Sequence, residues 1–180
     1  MHIRPLPAEE AAVRRYVEEL WLPYNRELER TVAEFALADR PDADLVDAEA
    51  EFRSGRLAED GFEIWIAVDD AAADGVDADA ELGAADLPLA GFVAAEREPA
   101  PTVFDRPDRL VIDDLYVREL YRGGDLARDL VGRAASYAEA ADCPQVALDV
   151  DTDNERARAF YDSLGFEPRR HRLVVDTAEL

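Results

Sequence analysis

The 180-residue sequence predicts a mixed α/β (α+β) fold. Three observations carry that expectation. Near the N-terminus, Val13, Tyr16, Val17, Leu20 and Trp21 recur at the spacing of one helix face. In "FEIWIAV" (62–68), Phe62, Ile64, Ile66 and Val68 alternate as one face of a strand. From residue 109 onward, apolar β-rich runs alternate with helical patterns. The predicted order is a helical N-terminal part, a β-meander, then β-α-β-α-β.

The elements follow in turn. "HIRPL" is a short first strand. The helix that begins before Val13 ends or bends at Pro23, whose ring cannot sit freely inside a helix. A second helical stretch is expected over about 25–39, and "AEAEFRSGRL" is a short third one. After the 62–68 strand comes an acidic segment rich in alanine and glycine, about 69–88, with no aromatic residue. It reads as a solvated loop between two strands, with a lid as the alternative. "LAGFVAAER" (89–97) and "RLVIDDLYV" (109–117) are strands. Leu126, Leu130, Val131, Ala134 and Ala138 mark an amphipathic helix of about five turns. "PQVALDV" (144–150) is a strand. A helix follows with Ala157, Phe160, Tyr161 and Leu164 on one face, and Gly165 stops it. "RHRLVVD" (170–176) is a final strand. No internal repeat is visible, so the chain is expected to be one domain over 1–180 with a single insert.

Composition narrows the function classes. The chain holds 42 acidic and 20 basic residues, a net charge of −22, and every basic residue other than histidine is arginine. The acids are spread along the chain. That pattern suits a surface kept soluble in a salty cytoplasm, where screening shortens the Debye length to roughly 3 Å at 1 M. It points to a salt-loving source, a halophilic archaeon, and to a cytoplasmic protein. The surface repels phosphate backbones, so nucleic acid is not an expected partner. No apolar run reaches the length of a membrane span, and the N-terminus lacks the pattern of a secretory signal. The single cysteine, Cys143, forbids an internal disulfide framework. It reads as a small buried residue; a nucleophile would need a histidine partner, and neither His2 nor His171 has a readable one.

The sharpest motif is "YRGGDLARDLV" (121–131). A strand, a glycine turn and a helix start form an anion site. Glycines permit unusual backbone angles, the first helical N–H groups lack internal partners, and the helix dipole adds about half a positive charge. Arg122 adds a full charge and a fork of donors. The motif is not a P-loop, because the chain has no lysine. It is not the dinucleotide fingerprint either, since the glycines are adjacent and lie late in the chain. A bare turn with a helix cap would look similar.

"IDDLYVRELYRGGDLARDLV", followed by "LDVDTDNERARAFYDSLGF", resembles the GNAT superfamily of acyl-CoA N-acyltransferases. Leu115 and Val117 match the family's strand end, Arg122 to Ala127 its R/Q-x-x-G-x-G/A loop, and Asn154, Tyr161 and Leu164-Gly165-Phe166 its second motif. The resemblance spans about residues 2–176. It implies a central, mostly antiparallel sheet splayed where acetyl-CoA enters, with helices on its flanks. It also implies that the backbone around Leu115, Tyr116 and Val117 pairs with the pantetheine arm. The backbone of Arg122, Gly123, Gly124, Asp125, Leu126 and Ala127 would cradle the pyrophosphate, and Asn154 would contact the cofactor arm. Tyr161 would protonate the departing thiolate; its alternative role is a core aromatic. The chain departs from the family at Asp125, where a central glycine is expected. A carboxylate there costs on the order of 1–4 kcal/mol against a pyrophosphate, unless it caps the helix with its side chain turned away.

Attack on a thioester needs a neutral amine, so a base or a water chain must take a proton. Asp113 is a candidate, on a strand face shared with Val111, Leu115 and Val117, with Asp114 opposite. Asp149 is another, five residues before Asn154; family members that acetylate protein N-termini carry a glutamate at the similar position. Glu96 and Glu98 are further candidates. The expected function is transfer of an acetyl group from acetyl-CoA to a primary amine, on a small molecule or a protein N-terminus, in a ternary complex. No metal is expected, no membrane, and a homodimer is compatible with the resemblance. The alternative is a non-catalytic acyl-CoA sensor or interaction domain on the same fold. The acceptor would be set by the N-terminal helices (about 8–58) and by the loop before the last strand, which carry no decodable motif.

Overall fold

The computed structural model describes residues 1–69, 82–83 and 87–180. The elements run β1 (His2–Pro5), α1 (Glu10–Tyr16), a π turn (Val17–Trp21), α2 (Leu22–Leu28), α3 (Asp42–Leu57), β2 (Phe62–Val68), β3 (Leu89–Glu98), β4 (Arg109–Val117), α4 (Leu126–Ala140), β5 (Gln145–Leu148) and α5 (Glu155–Ser163). The described strands form an open five-stranded sheet in the order β1-β2-β3-β4-β5. The first three pairings are antiparallel and β4–β5 is parallel. This is the mixed α/β, mostly antiparallel arrangement expected from the sequence.

The two faces of the sheet are covered by different helices. Phe62, Ile64, Ile66 and Val68 join Phe92, Ala94 and Tyr116 in one core with Val13, Tyr16, Val17 and Leu20 of the N-terminal helix, and with Val46 and Ala50 of α3. On the other face Trp65 packs edge-on to Tyr137 at 5.2 Å and lies under Arg133 at 5.1 Å. There α4 lies on β3 and β4 through its buried Leu126, Leu130, Val131, Ala134 and Ala138. A strand buried on both faces loses strict alternation, which is why Trp65 and Ala67 are as buried as their neighbours.

Several boundaries differ from the sequence expectation. Of the two expectations for Pro23, ending or bending the helix, the ending is not seen: α2 continues through it to Leu28. The chain widens into a π turn just before Pro23, with the Leu22 N–H reaching back five residues to the Val17 carbonyl. The extra residue relieves the clash between the proline ring and the preceding turn. Helix α2 stops at Leu28, so the stretch 25–39 is only partly helical. Helix α3 starts at Asp42, six residues earlier than "AEAEFRSGRL", because Pro41 is the N-cap and Asp42 and Asp44 fill the first turn, where acids are favoured. Helix α4, at 15 residues, has about four turns rather than five. β5 covers only residues 145–148.

Most of the acidic insert, 70–81 and 84–86, lies outside the described residues. Its described part is not simply solvated: Leu82 and Leu87 are buried in the core. Arg15 donates to both their carbonyls, at 2.9 Å and 2.5 Å.

The chain divides into two compact units, Met1–Asp149 and Val150–Leu180. In the second, Asn154 caps α5, its side chain accepting from the Ala157 N–H at 3.1 Å, and Gly165 ends the helix at φ +86°. The expected strand at 170–176 is not formed, and Leu173, Val174 and Val175 are exposed. β propensity describes fit to a pleated, half-buried surface, and this unit offers no other strand to pair with among its described residues.

Candidate active site

The site is built where β4 and β5 part. Their pairing runs from Arg109↔Gln145 to Ile112↔Leu148 and stops. β4 continues to Val117. Asp113 and Asp149, both exposed, are the next residues on the two strands, so the two base candidates flank the fork.

Asp113 is also a bulge. Ala94 pairs with Asp114 while Ala95 pairs with Ile112, so Asp113 has no partner on β3. The extra residue breaks the alternation assumed from the sequence. Val111, opposite Glu96, lies on the face of the N-terminal helices, whereas Leu115, opposite Val93, lies on the α4 face. Asp113, Val111, Leu115 and Val117 therefore do not share one face. The surrounding protein desolvates the Asp113 carboxyl, and Asp114 and Glu96 repel its charge. Arg53 and Arg56 oppose them only in part, and the group is pushed up to about 6 from 3.8. The neighbouring Asp114 is tied differently: Arg53 of α3 donates to it at 2.9 Å and to Glu49 at 2.5 Å. Glu96 pairs with Arg56 at 2.8 Å.

Past the fork, β4 offers a strand edge. The Arg118 N–H donates to the Ala90 carbonyl on β3 at 2.9 Å. Backbone polar groups alternate sides along a strand, so those of Leu115 and Val117 turn toward the unpaired edge. Tyr116 between them points its ring into the core. Its phenol donates to Glu27 at 2.8 Å, and burial together with that carboxylate pushes the phenol up to about 12.

The chain then turns through Arg122–Asp125 into α4. Gly123 has φ +84°, and a Cβ on Gly123 or Gly124 would meet nothing within 4 Å, so the turn is open. Gly123, Gly124 and Asp125 are exposed, Leu126 is buried and Ala127 half-buried. The unpaired N–H groups of a 15-residue helix thus open at an accessible glycine turn, a fitting cradle for a pyrophosphate. Two expectations change here. Asp125 stands at the N-cap, but its side chain accepts no capping bond. The guanidinium of Arg122 is not held out as a donor fork. It turns back, donating from Nε to the Val117 carbonyl at 2.7 Å and from NH2 to Glu27 at 2.5 Å.

In the second unit, Tyr161 lies between Phe160 at 5.2 Å and Phe166 at 5.5 Å, a half-buried aromatic on α5. Asn154 has its carbonyl oxygen engaged in the cap described above. Among the described residues no group of three or more His, Cys, Asp or Glu could hold a metal. No described helix is long and apolar enough to cross a membrane. Cys143 is buried, as expected.

Glu27, Glu49 and Arg53 were not singled out by the sequence. Their partners lie 95, 89, 61 or 4 residues away. Only the Glu49–Arg53 spacing, one helical turn, leaves a trace in the sequence.

No curated protein matches the chain. Among solved structures, the tetramutant of the BH1408 protein from Bacillus halodurans superposes with a TM-score of 0.73 at 19% identity, covering 98% of this chain and 99% of that one. The aminoglycoside N-acetyltransferase AAC(6')-Iy in complex with CoA gives 0.63 at 18%, covering 98% and 93%. A transcriptional regulator from Bacillus halodurans C-125 gives 0.64 at 19%, covering 97% and 99%. At such identities these likenesses show the fold. The model of the acetyltransferase (GNAT) family matches residues 17–166, from the π turn to Phe166 just past the glycine that ends α5, and the chain belongs to that family.

Proposed function

We propose that the chain transfers an acetyl group from acetyl-CoA to a primary amine by direct attack within a ternary complex. The observation that supports this most is the fork between β4 and β5, with a carboxyl held near 6 at its apex. A base of that strength is ionised at neutral pH and binds a proton better than an ordinary aspartate. In this reading the amine nitrogen bonds to the thioester carbonyl carbon, and the C–S bond breaks. The ammonium proton passes to Asp113, or to Asp149 or a water beside it, and the thiolate takes a proton from Tyr161. The edge at Leu115–Val117 pairs with the pantetheine amides as an added strand. The turn Arg122–Ala127 receives the pyrophosphate on its N–H groups, and Asn154 meets the cofactor arm. Positioning supplies the rest of the acceleration. The whole chain acts as one domain, in the cytoplasm of a salt-loving organism.

A second reading, an acyl-CoA sensor, is favoured by Asp125 in the cradle and by the likeness to a transcriptional regulator. The test is release of free thiol from acetyl-CoA with a panel of aminoglycosides, polyamines, amino acids and peptide N-termini. Amine-dependent release that falls by about a hundredfold or more in Tyr161→Phe, the scale of general acid catalysis, supports the transferase. Tight acetyl-CoA binding with no release from any amine would move the sensor ahead.

A further inference from the structure

Glu27 stands on α2, far in sequence from the glycine turn, yet it meets both the end of β4, at Tyr116, and the first residue of the turn, Arg122. One carboxylate oxygen accepts from the Tyr116 phenol at 2.8 Å, and the other accepts from the Arg122 guanidinium at 2.5 Å. The same guanidinium lies over the Tyr116 ring at 5.5 Å and holds the Val117 carbonyl through Nε at 2.7 Å. Tyr24, one helical turn before Glu27, adds a ring contact to Tyr116 at 5.6 Å.

These contacts form a closed circuit through α2, the end of β4 and the first residue of the turn. Gly123 and Gly124, which follow Arg122, have no side chains to restrain them. Left alone, such a turn samples many backbone states and must be ordered when an anion arrives. Arg122 is the last residue before them with a side chain, and its ion pair to Glu27 is partly shielded, at 21% and 40% side-chain exposure.

We propose that Glu27 is a positioning residue for the cofactor turn: by anchoring Arg122 and Tyr116 it presets the backbone at 122–125 and links the N-terminal helix to the cofactor edge. This rests on the reading above that the turn receives the pyrophosphate. Arg122 then serves through its anchor rather than as a direct phosphate ligand, a reversal of what the motif alone suggests.

The two roles predict opposite behaviour on removing Glu27. If Arg122 bound the phosphates directly, freeing it from a competing carboxylate would leave affinity unchanged or tighten it. If Glu27 sets the turn, affinity falls. The experiment measures acetyl-CoA binding by calorimetry for the wild type, Glu27→Gln, Glu27→Ala, Arg122→Ala and the Glu27→Ala/Arg122→Ala double variant. S-acetylpantetheine, which lacks the pyrophosphate, is measured in parallel by competition. Circular dichroism reports folding, and Glu27→Gln, which keeps size and one acceptor, carries the test should Glu27→Ala fail to fold. We expect about a tenfold weaker acetyl-CoA affinity in Glu27→Ala and in Arg122→Ala, a smaller loss in Glu27→Gln, and no further loss in the double variant, as coupled partners require. S-acetylpantetheine binding should change little. Unchanged or tighter acetyl-CoA binding without Glu27, additive losses, or equal losses for both ligands would each overturn the proposal. A wild type that binds no acetyl-CoA would overturn the acyltransferase reading, and this proposal with it.

Discussion

Arg53 of α3 reaches 61 positions along the chain to donate to Asp114 of β4 at 2.9 Å. Its Nε also holds Glu49 at 2.5 Å, and all three side chains are at most 17% exposed. The pairing divides two adjacent aspartates. Asp114 is matched by a cation, whereas Asp113, at the bulge, is desolvated and is repelled by Asp114 and Glu96 more strongly than Arg53 and Arg56 attract it.

Arg53→Ala should therefore cost much more than an ordinary surface change. It leaves two partly buried carboxylates without a cation, a loss of about 3 kcal/mol. For a chain of this size the melting midpoint should fall by roughly 6–12 °C. Scanning calorimetry checks this. Replacing Arg53, Glu49 and Asp114 together by apolar residues of similar volume should recover most of the loss, because no buried charge then remains. An unchanged midpoint in Arg53→Ala would show that water already screens the cluster.

The raised Asp113 carboxyl makes two pH predictions of fixed sign. The folded state holds its proton up to about 6, whereas an ordinary aspartate releases it near 3.8. The associated stability is complete below pH 3.8 and is lost as pH rises through 6. Asp113→Asn, which cannot ionise, should thus raise the midpoint at pH 8 and leave it nearly unchanged at pH 4. Because Asp113 is exposed, solvent screening keeps the gain small, about 1–2 °C. For catalysis the sign reverses. The acid limb of the kcat/KM profile should fall as pH drops through about 6 in the wild type, and this limb should vanish in Asp113→Asn along with most of the rate. A limb that survives in the variant would transfer the base role to Asp149 or to water.

The five strands of the sheet and the glycine turn were legible because they carry a local pattern, but 170–176 carries the same pattern and forms no strand. Phe62, Ile64, Ile66 and Val68 recur at strand spacing within an apolar run, and Gly123-Gly124 before Leu126 announces a helix start. The fork was legible only through the family resemblance, since nothing in 109–117 shows that pairing with β5 ends at Ile112. The bulge at Asp113 was hidden for a related reason: an inserted residue leaves composition intact and changes only the register. The π turn before Pro23 was missed because a proline in a helical pattern ordinarily signals an end. The charge pairs were hidden by abundance. With 42 acids in the chain, Glu27 and Asp114 look like solvated surface until the fold brings Arg122 and Arg53 to them.

Gly91 tests how tightly the end of β4 is held. It lies opposite Val117, and an added Cβ would stand 2.4 Å from the Tyr116 carbonyl oxygen and 3.1 Å from the Val117 Cα. Both are backbone atoms and cannot rotate away. Gly91→Ala should push β3 and β4 apart at the end of β4 and destabilise the fold by about 2 kcal/mol. Acetyl-CoA affinity should fall with it. Gly124→Ala is the control, because its Cβ meets nothing within 4 Å; its unfolding midpoint should stay within a degree or so. Thermal and denaturant unfolding of both variants decide the matter, and equal stability of Gly91→Ala and the wild type would mean that the strand end is loosely paired.

Asp125 isolates the electrostatics of the cradle. Its side chain accepts no capping bond and is exposed, so replacing it removes charge with little loss of structure. Glycine at an N-cap costs only a few tenths of a kcal/mol relative to aspartate. A carboxylate at contact distance from a pyrophosphate costs on the order of 1–4 kcal/mol, depending on screening. Asp125→Gly should thus tighten acetyl-CoA binding by about tenfold at low ionic strength, equivalent to ~1.4 kcal/mol. The gain should shrink steadily as potassium chloride is added, because the Debye length falls to roughly 3 Å at 1 M. Calorimetry across a salt series measures both quantities. A gain independent of salt would assign the effect to backbone freedom, since screening leaves conformational entropy untouched. No gain at any salt would mean that the carboxylate points away from the phosphates and that only its N–H faces them.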